Sequence, residues 1–316
     1  MTPTLGIHHI TAIGSDPQRL TDFYTQILGL RLVKKTVNQD DVSAYHLFFG
    51  DRQGSPGLDL TFFTFLPASP GSRGNGLVTN ISLAVPTGAL PFWKERFDTL
   101  GVKHEGIITQ LGWQRIVFYD YDNQRLELVE VDPTNFDDTH LWTTPEVGAE
   151  HAIRQFHSAL LSVHDKQLVE PILAVFGYAV ESSEGKLTRY HLPGLQRAEF
   201  LELEEDASKP AGFNASGTVH HIAFSVADEA AQQAVRQSIA GMGLYPTKMI
   251  DRFYFKSVYF RTPAGILFEL ATMGPGFTAD EDLATLGEAL SLPPFLEEHR
   301  AHIEAGLTPV SVRPLP

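Results

Sequence analysis

Two runs of the chain carry adjacent histidines followed by isoleucine: His8-His9-Ile10 near the start and His220-His221-Ile222 in the last third. The last third also holds Glu269 within the apolar run 266–270. Two imidazoles and one carboxylate from separate strands can hold a divalent metal on one face and leave the other face open. This is the ligand set of non-heme Fe(II) oxygenases, so the sequence predicts a site for such a metal.

Each histidine pair lies in a run that alternates like a β-strand. Adjacent residues of a regular strand point to opposite faces, so only one histidine of each pair can face a shared metal. We take His9 and His221, which directly precede the isoleucines, as ligands together with Glu269. His8 and His220 are then expected to orient these ligands or to pack on the far face. An isolated histidine is more often structural, but the duplication and the costly buried acid favour metal binding.

A coarse pattern of one strand, one amphipathic helix and three further strands occurs four times along the chain. We call these repeats modules one to four: residues 6–65, 77–131, 153–203 and 219–272. Four βαβββ modules with helices packed on sheets predict an α+β fold. A polar stretch after module two reads as a linker. We therefore predict a domain of modules one and two, a domain of modules three and four, and a helical tail: residues 1–148, 149–273 and 274–316.

The tail contains two predicted helices. Thr278 and Glu281 have the spacing of a capping box, which predicts a helix over residues 278–290. Two prolines at 293 and 294 end it. A second helix is predicted over residues 297–305.

Modules two and three serve as an internal control on the predicted metal site. The matching positions hold no comparable ligand set: Asn80 and Glu127 in module two, Ser158 and Ala198 in module three, and Thr61 at the acid position of module one. Modules two and three are therefore predicted to be degenerate copies, with Glu127 a structural or solvated acid. The predicted site takes one histidine from module one and its other two ligands from module four. These two modules must then lie side by side.

The composition excludes several classes of protein. The net charge is −14, which repels nucleic acid and anionic membranes. No apolar run reaches the roughly 20 residues of a membrane-spanning helix, and the first residues show no secretion signal. We therefore expect a cytoplasmic protein with no nucleic-acid or membrane partner. The chain has no cysteine, so any metal ligands are nitrogen and oxygen atoms.

At these residues the chain resembles the vicinal oxygen chelate superfamily, which includes glyoxalases, extradiol dioxygenases and antibiotic-resistance proteins. The features that carry this resemblance are the paired βαβββ modules, the helix end Phe23-Tyr24-x-x-x-Leu28-Gly29-Leu30 and the strand Pro263-x-Gly265-x-x-x-Glu269-Leu270. The resemblance implies open, cup-like mixed sheets. Longer runs resemble the hydroquinone ring-cleaving dioxygenases across essentially the whole chain: residues 8–12, 32–38, 45–51 and 251–261.

This resemblance implies an extradiol-type enzyme that opens a para-diol ring with O2. It implies Fe(II), with Mn(II) as the alternative, on His9, His221 and Glu269. It also implies active-site roles for Arg252, which could stabilise negative charge, and Tyr259, which could act as acid or base. Without the resemblance, Arg252 in the pair Asp251-Arg252 would read as a surface or salt-bridging arginine, and Tyr259 as core packing. His8 and His220 are further proton carriers in this interpretation.

Two other functions stay open at this point, as does the formation of a homo-oligomer. A glyoxalase-type isomerase or lyase would use a similar scaffold, commonly with a second carboxylate, and Thr61 at that position counts against it. A metal-free protein that binds an aromatic drug would not need three metal ligands. The remaining histidines have no partner pattern and are expected to be structural or exposed; they include His46, His104, His140, His151, His157 and His191.

Overall fold

The computed structural model of the protein describes residues 4–66, 68–195 and 197–312. Strands in these ranges form two eight-stranded sheets. The strands are β1 (Ile7–Gly14), β2 (Arg31–Asn38), β3 (Asp41–Gly50), β4 (Asp59–Thr64), β5 (Leu77–Pro86), β6 (His104–Gln110), β7 (Trp113–Tyr119), β8 (Arg125–Val131), β9 (Gln155–Val163), β10 (Ala179–Glu184), β11 (Leu187–His191), β12 (Phe200–Glu205), β13 (Thr218–Val226), β14 (Ile250–Asp251), β15 (Lys256–Arg261) and β16 (Leu267–Thr272). The α-helices are α1 (Pro17–Asp22), α2 (Leu90–Leu100), α3 (Glu170–Phe176), α4 (Glu229–Gly241) and α5 (Arg300–Gly306).

The predicted order of one strand, one helix and three strands is confirmed in all four modules. Module one consists of β1, α1 and β2 to β4, and the other three modules repeat this order with α2, α3 and α4. Both sheets mix parallel and antiparallel pairs. The chain is therefore α+β, as predicted. None of the described helices is long and apolar enough to cross a membrane.

One sheet joins module one to module four, and the other joins module two to module three. Antiparallel pairing of β1 with β13 makes the first junction, and pairing of β5 with β9 makes the second. The first and last modules therefore lie side by side, which confirms the arrangement that the metal site requires. The division into domains at residues 148 and 273 stays a prediction, and each sheet takes strands from both sides of residue 148.

The module helices cover one face of the sheets and leave the other face for a site. Asp16 caps α1 by accepting hydrogen bonds from two backbone N–H groups of its first turn. Gly101 ends α2 in the left-handed conformation, with φ of 67°. The ring of Tyr24, just after α1, lies 4.6 Å from that of Phe62 in β4. The preceding residue of that strand, Thr61, therefore points to the opposite, helix-free face.

The helix predicted over residues 278–290 of the tail is wrong. The structure has only short 3-10 turns there, Phe277–Ala279 and Leu283–Thr285. The carboxylate of Glu281 contacts Nζ of the buried Lys34 in β2, so it does not close a capping box. Tertiary contacts thus override a local helix signal. The second predicted helix is a 3-10 turn, Pro294–His299, that continues into α5.

Candidate metal centre

Strands β1 and β13 bring His9 and His221 together. In their antiparallel register Ala223 lies opposite His9 and Thr11 lies opposite His221. The two histidines are therefore diagonal neighbours on one face, within reach of each other. Their Nε2 atoms are 3.2 Å apart, and both side chains are buried. Two imidazole nitrogens from different strands thus converge on one point.

Strand β16 adds Glu269 to this pair. It runs parallel to β13 and places Glu269 opposite Ala223, beside both histidines. Its Oε2 lies 3.2 Å from Nε2 of His9 and 3.0 Å from Nε2 of His221, with no exposure to solvent. Burial alone would raise the pKa of Glu269, but the two imidazoles bring it well below its usual range. The carboxylate is therefore the charged member of the cluster.

These three side chains fit a divalent metal. Their ligand atoms all lie within 4.8 Å of one another. Neither oxygen of Glu269 accepts a hydrogen bond of normal geometry from the described residues. A buried carboxylate without donors needs a cation beside it. Two nitrogens and one oxygen on one side, with no sulfur, suit Fe(II) and leave coordination positions for other molecules.

The histidines that precede the two ligand positions lie directly behind them. Nδ1 of His8 is 3.0 Å from Nδ1 of His9, and Nδ1 of His220 is 2.8 Å from Nδ1 of His221. Nε2 of His8 lies 3.2 Å from the carbonyl oxygen of Thr272. A carbonyl only accepts, so His8 donates through Nε2 and accepts from His9 through Nδ1. This tautomer leaves the lone pair of His9 Nε2 facing the cluster. Burial lowers the pKa of His8 and of His220 to about 3, so both rings are neutral.

Tyr259 lies against the cluster from the neighbouring strand β15. It pairs with Glu269 across the sheet, and its ring centroid is 5.9 Å from that of His221. Burial raises the pKa of its hydroxyl above the usual range, so the hydroxyl stays protonated and can donate a hydrogen bond. Its position agrees with the active-site role that the resemblance implied.

Arg252 lies at the rim of the same site. Its guanidinium carbon is 5.5 Å from the centroid of the Tyr259 ring, close enough for a cation–π contact. The guanidinium also donates to both carboxylate oxygens of Asp40, at 3.0 and 2.8 Å. The alternative expectation of a salt-bridging arginine is therefore met, with Asp40 as the partner. The carboxylate of the adjacent Asp251 accepts the backbone N–H of Phe253, at 2.8 Å.

Sequence reasoning missed His46, which it treated as structural or exposed. Nε2 of His46 lies 2.9 Å from Oγ1 of Thr61, whose Oγ1 is 2.7 Å from Oγ1 of Thr11. The hydroxyl of Thr11 in turn lies 3.0 Å from Nε2 of His221. A hydrogen-bonded path thus leads from His46 to the metal cluster. The signal was a histidine inside an otherwise aromatic and aliphatic strand, at residues 44–49.

His9 and His221 of the cluster line one wall of a cavity. One group of lining side chains is aromatic and the other is polar. They are His9, Thr36, Asn38, Gln39, Asp40, His46, Phe48, Phe63, His221, Arg252, Tyr254, Phe255 and Tyr259. An aromatic ring can therefore pack here with its polar substituents facing hydrogen-bonding groups.

The second sheet holds a charge cluster where the first sheet holds its three candidate ligands. Glu127 of β8 accepts a hydrogen bond from the buried guanidinium of Arg115 at 2.9 Å. Arg115 also reaches Glu202 of β12 at 3.1 Å, and Arg189 donates to the same carboxylate at 2.9 Å. The prediction that Glu127 is a structural acid is confirmed. In the second sheet, arginine side chains supply the positive charge beside the buried carboxylates.

The prediction that Ala198 is the module-three counterpart of the acid is wrong. Strand β12 begins after this residue, and its parallel register places Glu202 opposite Leu160. Thr61 lies opposite Thr11 in the same way in module one. Glu202 is therefore the equivalent position. The predicted alignment was out of register, because β12 begins only at Phe200, later than the alternating sequence pattern suggests.

Comparisons with known proteins agree with this geometry. Residues 6–128 match the family described as the Glyoxalase/Bleomycin resistance protein/Dioxygenase superfamily. The "Putative ring-cleaving dioxygenase MhqO" of Bacillus subtilis (strain 168) is 41% identical over 99% of this chain and 98% of its own length. The chain belongs to this superfamily. The resemblance predicted from the sequence is therefore confirmed.

Two further relatives lie within the superfamily. The "Chlorohydroquinone/hydroquinone 1,2-dioxygenase" of Sphingobium indicum is 33% identical, over 92% of each chain. The crystal structure of a "putative dioxygenase" from Bacillus subtilis subsp. subtilis str. 168 superposes with a TM-score of 0.95, at 40% identity and full coverage of both chains. Maize glyoxalase I, at 15% identity and a TM-score of 0.62 over 84% of this chain and 92% of its own, shares the fold alone.

Proposed function

We propose that the protein is an Fe(II)-dependent, extradiol-type dioxygenase that opens the ring of a hydroquinone with O2. The observation that carries this proposal is the convergence of His9, His221 and Glu269 on one face of an aromatic-lined cavity. Near-full-length relatives named as ring-cleaving dioxygenases, one of them for hydroquinones, support it. Mn(II) is the alternative metal, and the cytoplasmic location stays a prediction.

The three ligands would hold the metal on one side and leave the cavity side for substrate and O2. When bound, the metal would lower the pKa of a phenolic hydroxyl and bring O2 next to the electron-rich ring. In the overall reaction, one ring C–C bond beside a hydroxyl-bearing carbon breaks, and both oxygen atoms of O2 enter the product.

Tyr259 and Arg252 serve the reacting oxygens in this proposal. The Tyr259 hydroxyl is protonated and next to the cluster, so it donates a hydrogen bond to a substrate oxygen and can transfer that proton. Arg252 keeps a fixed positive charge at the cavity rim, oriented by its paired hydrogen bonds to Asp40. A fixed cation stabilises negative charge that develops in the ring-opening transition state.

In this proposal His8 and His220 act through the two ligand histidines, which they orient, and not through direct contact with the substrate. His8 accepts the Nδ1 proton of His9 and so fixes the tautomer of that ligand. Nδ1 of His220 lies 2.8 Å from Nδ1 of His221, where it can do the same. In the first pair, the carbonyl of Thr272 sets the direction of the whole chain of hydrogen bonds. The role of His8 and His220 as proton carriers stays a prediction.

The test is oxygen uptake by protein loaded anaerobically with Fe(II), using hydroquinone, methylhydroquinone and catechol. We expect uptake with formation of a ring-opened chromophore, and loss of both in His221→Ala. The metal content of each protein is measured in the same samples. No uptake despite stoichiometric Fe(II) would contradict the dioxygenase and favour a glyoxalase-type isomerase or lyase. Failure to retain any metal would favour a binding protein for aromatic drugs.

A further inference from the structure

Thr36 of β2 carries a buried hydroxyl that lacks a well-formed hydrogen bond. Its side chain is 2% exposed and lines the cavity beside the metal cluster. Oγ1 makes no hydrogen bond of normal geometry with the described residues. The adjacent Tyr254 hydroxyl interacts with it only weakly and donates its own proton to Asp280, at 2.9 Å. A buried hydroxyl without a well-formed hydrogen bond is costly, so one that lines a cavity points to a ligand.

His46 of β3 lies directly across from Thr36 in the antiparallel register. Directly opposed residues share a face of the sheet, and both side chains line the cavity. The His46 ring is held between Phe48 and Phe63, with centroid distances of 3.9 and 4.4 Å. Nε2 is anchored on Thr61 at 2.9 Å. No hydrogen bond within the described part of the chain uses Nδ1, so this atom can bond a ligand.

A para-diol presents the chemistry that this pair can recognise. An ortho-diol can bind one metal through both oxygens, but a para-diol binds through one and carries its second hydroxyl to the opposite side of the ring. That hydroxyl needs both a donor and an acceptor. A threonine hydroxyl and an imidazole nitrogen supply both.

We propose that Thr36 and His46 form the subsite for the hydroxyl para to the one that binds the metal. The pair then selects para-diols over ortho-diols, because an ortho-diol leaves both side chains without a partner. This proposal rests on the proposed dioxygenase function and names the residues that determine its substrate class.

The test compares binding of hydroquinone and phenol to Fe(II)-loaded protein without O2, by calorimetry. Phenol lacks the second hydroxyl, so the ratio of the two dissociation constants isolates the subsite. We expect Thr36→Val and His46→Phe each to reduce the preference for hydroquinone by about fivefold, the effect of one neutral hydrogen bond. Thr188→Val, which changes a buried threonine of β11 in the second sheet, should leave the ratio unchanged. Under O2, the ratio of kcat/KM for hydroquinone to that for catechol should fall in the same two variants.

The outcomes separate this proposal from the proposed function. Hydroquinone turnover with an unchanged ratio in both variants would overturn the subsite and leave the dioxygenase standing. No binding of hydroquinone by the metal-loaded wild type would overturn both. Folding of each variant is checked by its unchanged affinity for phenol, which makes no use of the subsite.

Discussion

His8 and His9 are hydrogen-bonded to each other through their Nδ1 atoms, 3.0 Å apart, although neighbouring residues of a regular strand point to opposite faces. The pairing of β1 with β13 shifts in register between Ile7 and His9, and this irregularity lets the two rings meet. The same contact joins His220 to His221 at 2.8 Å. Of the two expectations for the outer histidines, orientation of the ligands is the one that the geometry supports.

Replacing His8 by Phe should weaken metal binding without removing a ligand. Loss of an outer partner of a metal-bound histidine costs about 10- to 100-fold in affinity. We expect this increase in the dissociation constant of Fe(II) or Mn(II), measured by competition with a chelator. His157→Phe is the matched control, because His157 precedes Ser158 in the degenerate second sheet. Equal affinities in the two variants would contradict an orienting role for His8.

Metal alone should stabilise the protein, independently of any activity. A ligand that binds only the folded state at 100 times its dissociation constant adds about 2.7 kcal/mol to the free energy of unfolding. We expect Mn(II) to raise the melting temperature of the metal-free wild type accordingly. Glu269→Gln should abolish the rise, while Glu95→Gln, on the exposed face of α2, should keep it. A rise of the same size in Glu269→Gln would place the metal elsewhere.

The sequence was informative where two copies of a motif could be compared, and less so where distant contacts decide. The duplicated histidine pairs and Glu269 allowed the cluster to be predicted, because strand alternation restricts which side chains share a face. His46 could not be assigned, since its link to the cluster passes through Thr61 and Thr11 on other strands. The prediction of a helix in the tail failed for a related reason. Lys34, far away in sequence, binds Glu281, the acid that would have capped this helix.

Asp40 should act on the reaction through Arg252. The side chain of Asp40 is 72% exposed and that of Arg252 only 17%, so the carboxylate holds the guanidinium from the solvent side. We expect Asp40→Asn to lower kcat by up to about tenfold, because one charged partner of the guanidinium is lost, while the metal content stays unchanged. Steady-state kinetics beside Asp41→Asn, at the neighbouring exposed position, provides the measurement. A change in KM alone would indicate a role in substrate binding only.

Arg115 should contribute more to the free energy of unfolding than an exposed arginine does. It is fully buried between Glu127 and Glu202, so Arg115→Met leaves two buried carboxylates short of a cation. Removal of one partner from a buried ion pair costs about 3–5 kcal/mol. Arg300→Met, which removes surface ion pairs, should cost less than about 1 kcal/mol. Urea unfolding of both variants tests this. A loss below 1 kcal/mol for Arg115→Met would show that the cluster is dispensable.

Glu202 should make the folded state sensitive to acid. Burial alone would raise its pKa, but Arg115 and the other nearby cations bring it from 4.5 to about 2. Because the folded-state pKa lies below the unfolded one, the stabilisation is complete above about pH 5 and is lost as the pH falls towards 2. A shift of this size corresponds to roughly 3 kcal/mol. In urea unfolding at pH 6, 4 and 3, Glu202→Gln should be less stable at pH 6 and should lose less stability on acidification than the wild type. Parallel pH profiles for the two proteins would assign the acid sensitivity to other carboxylates.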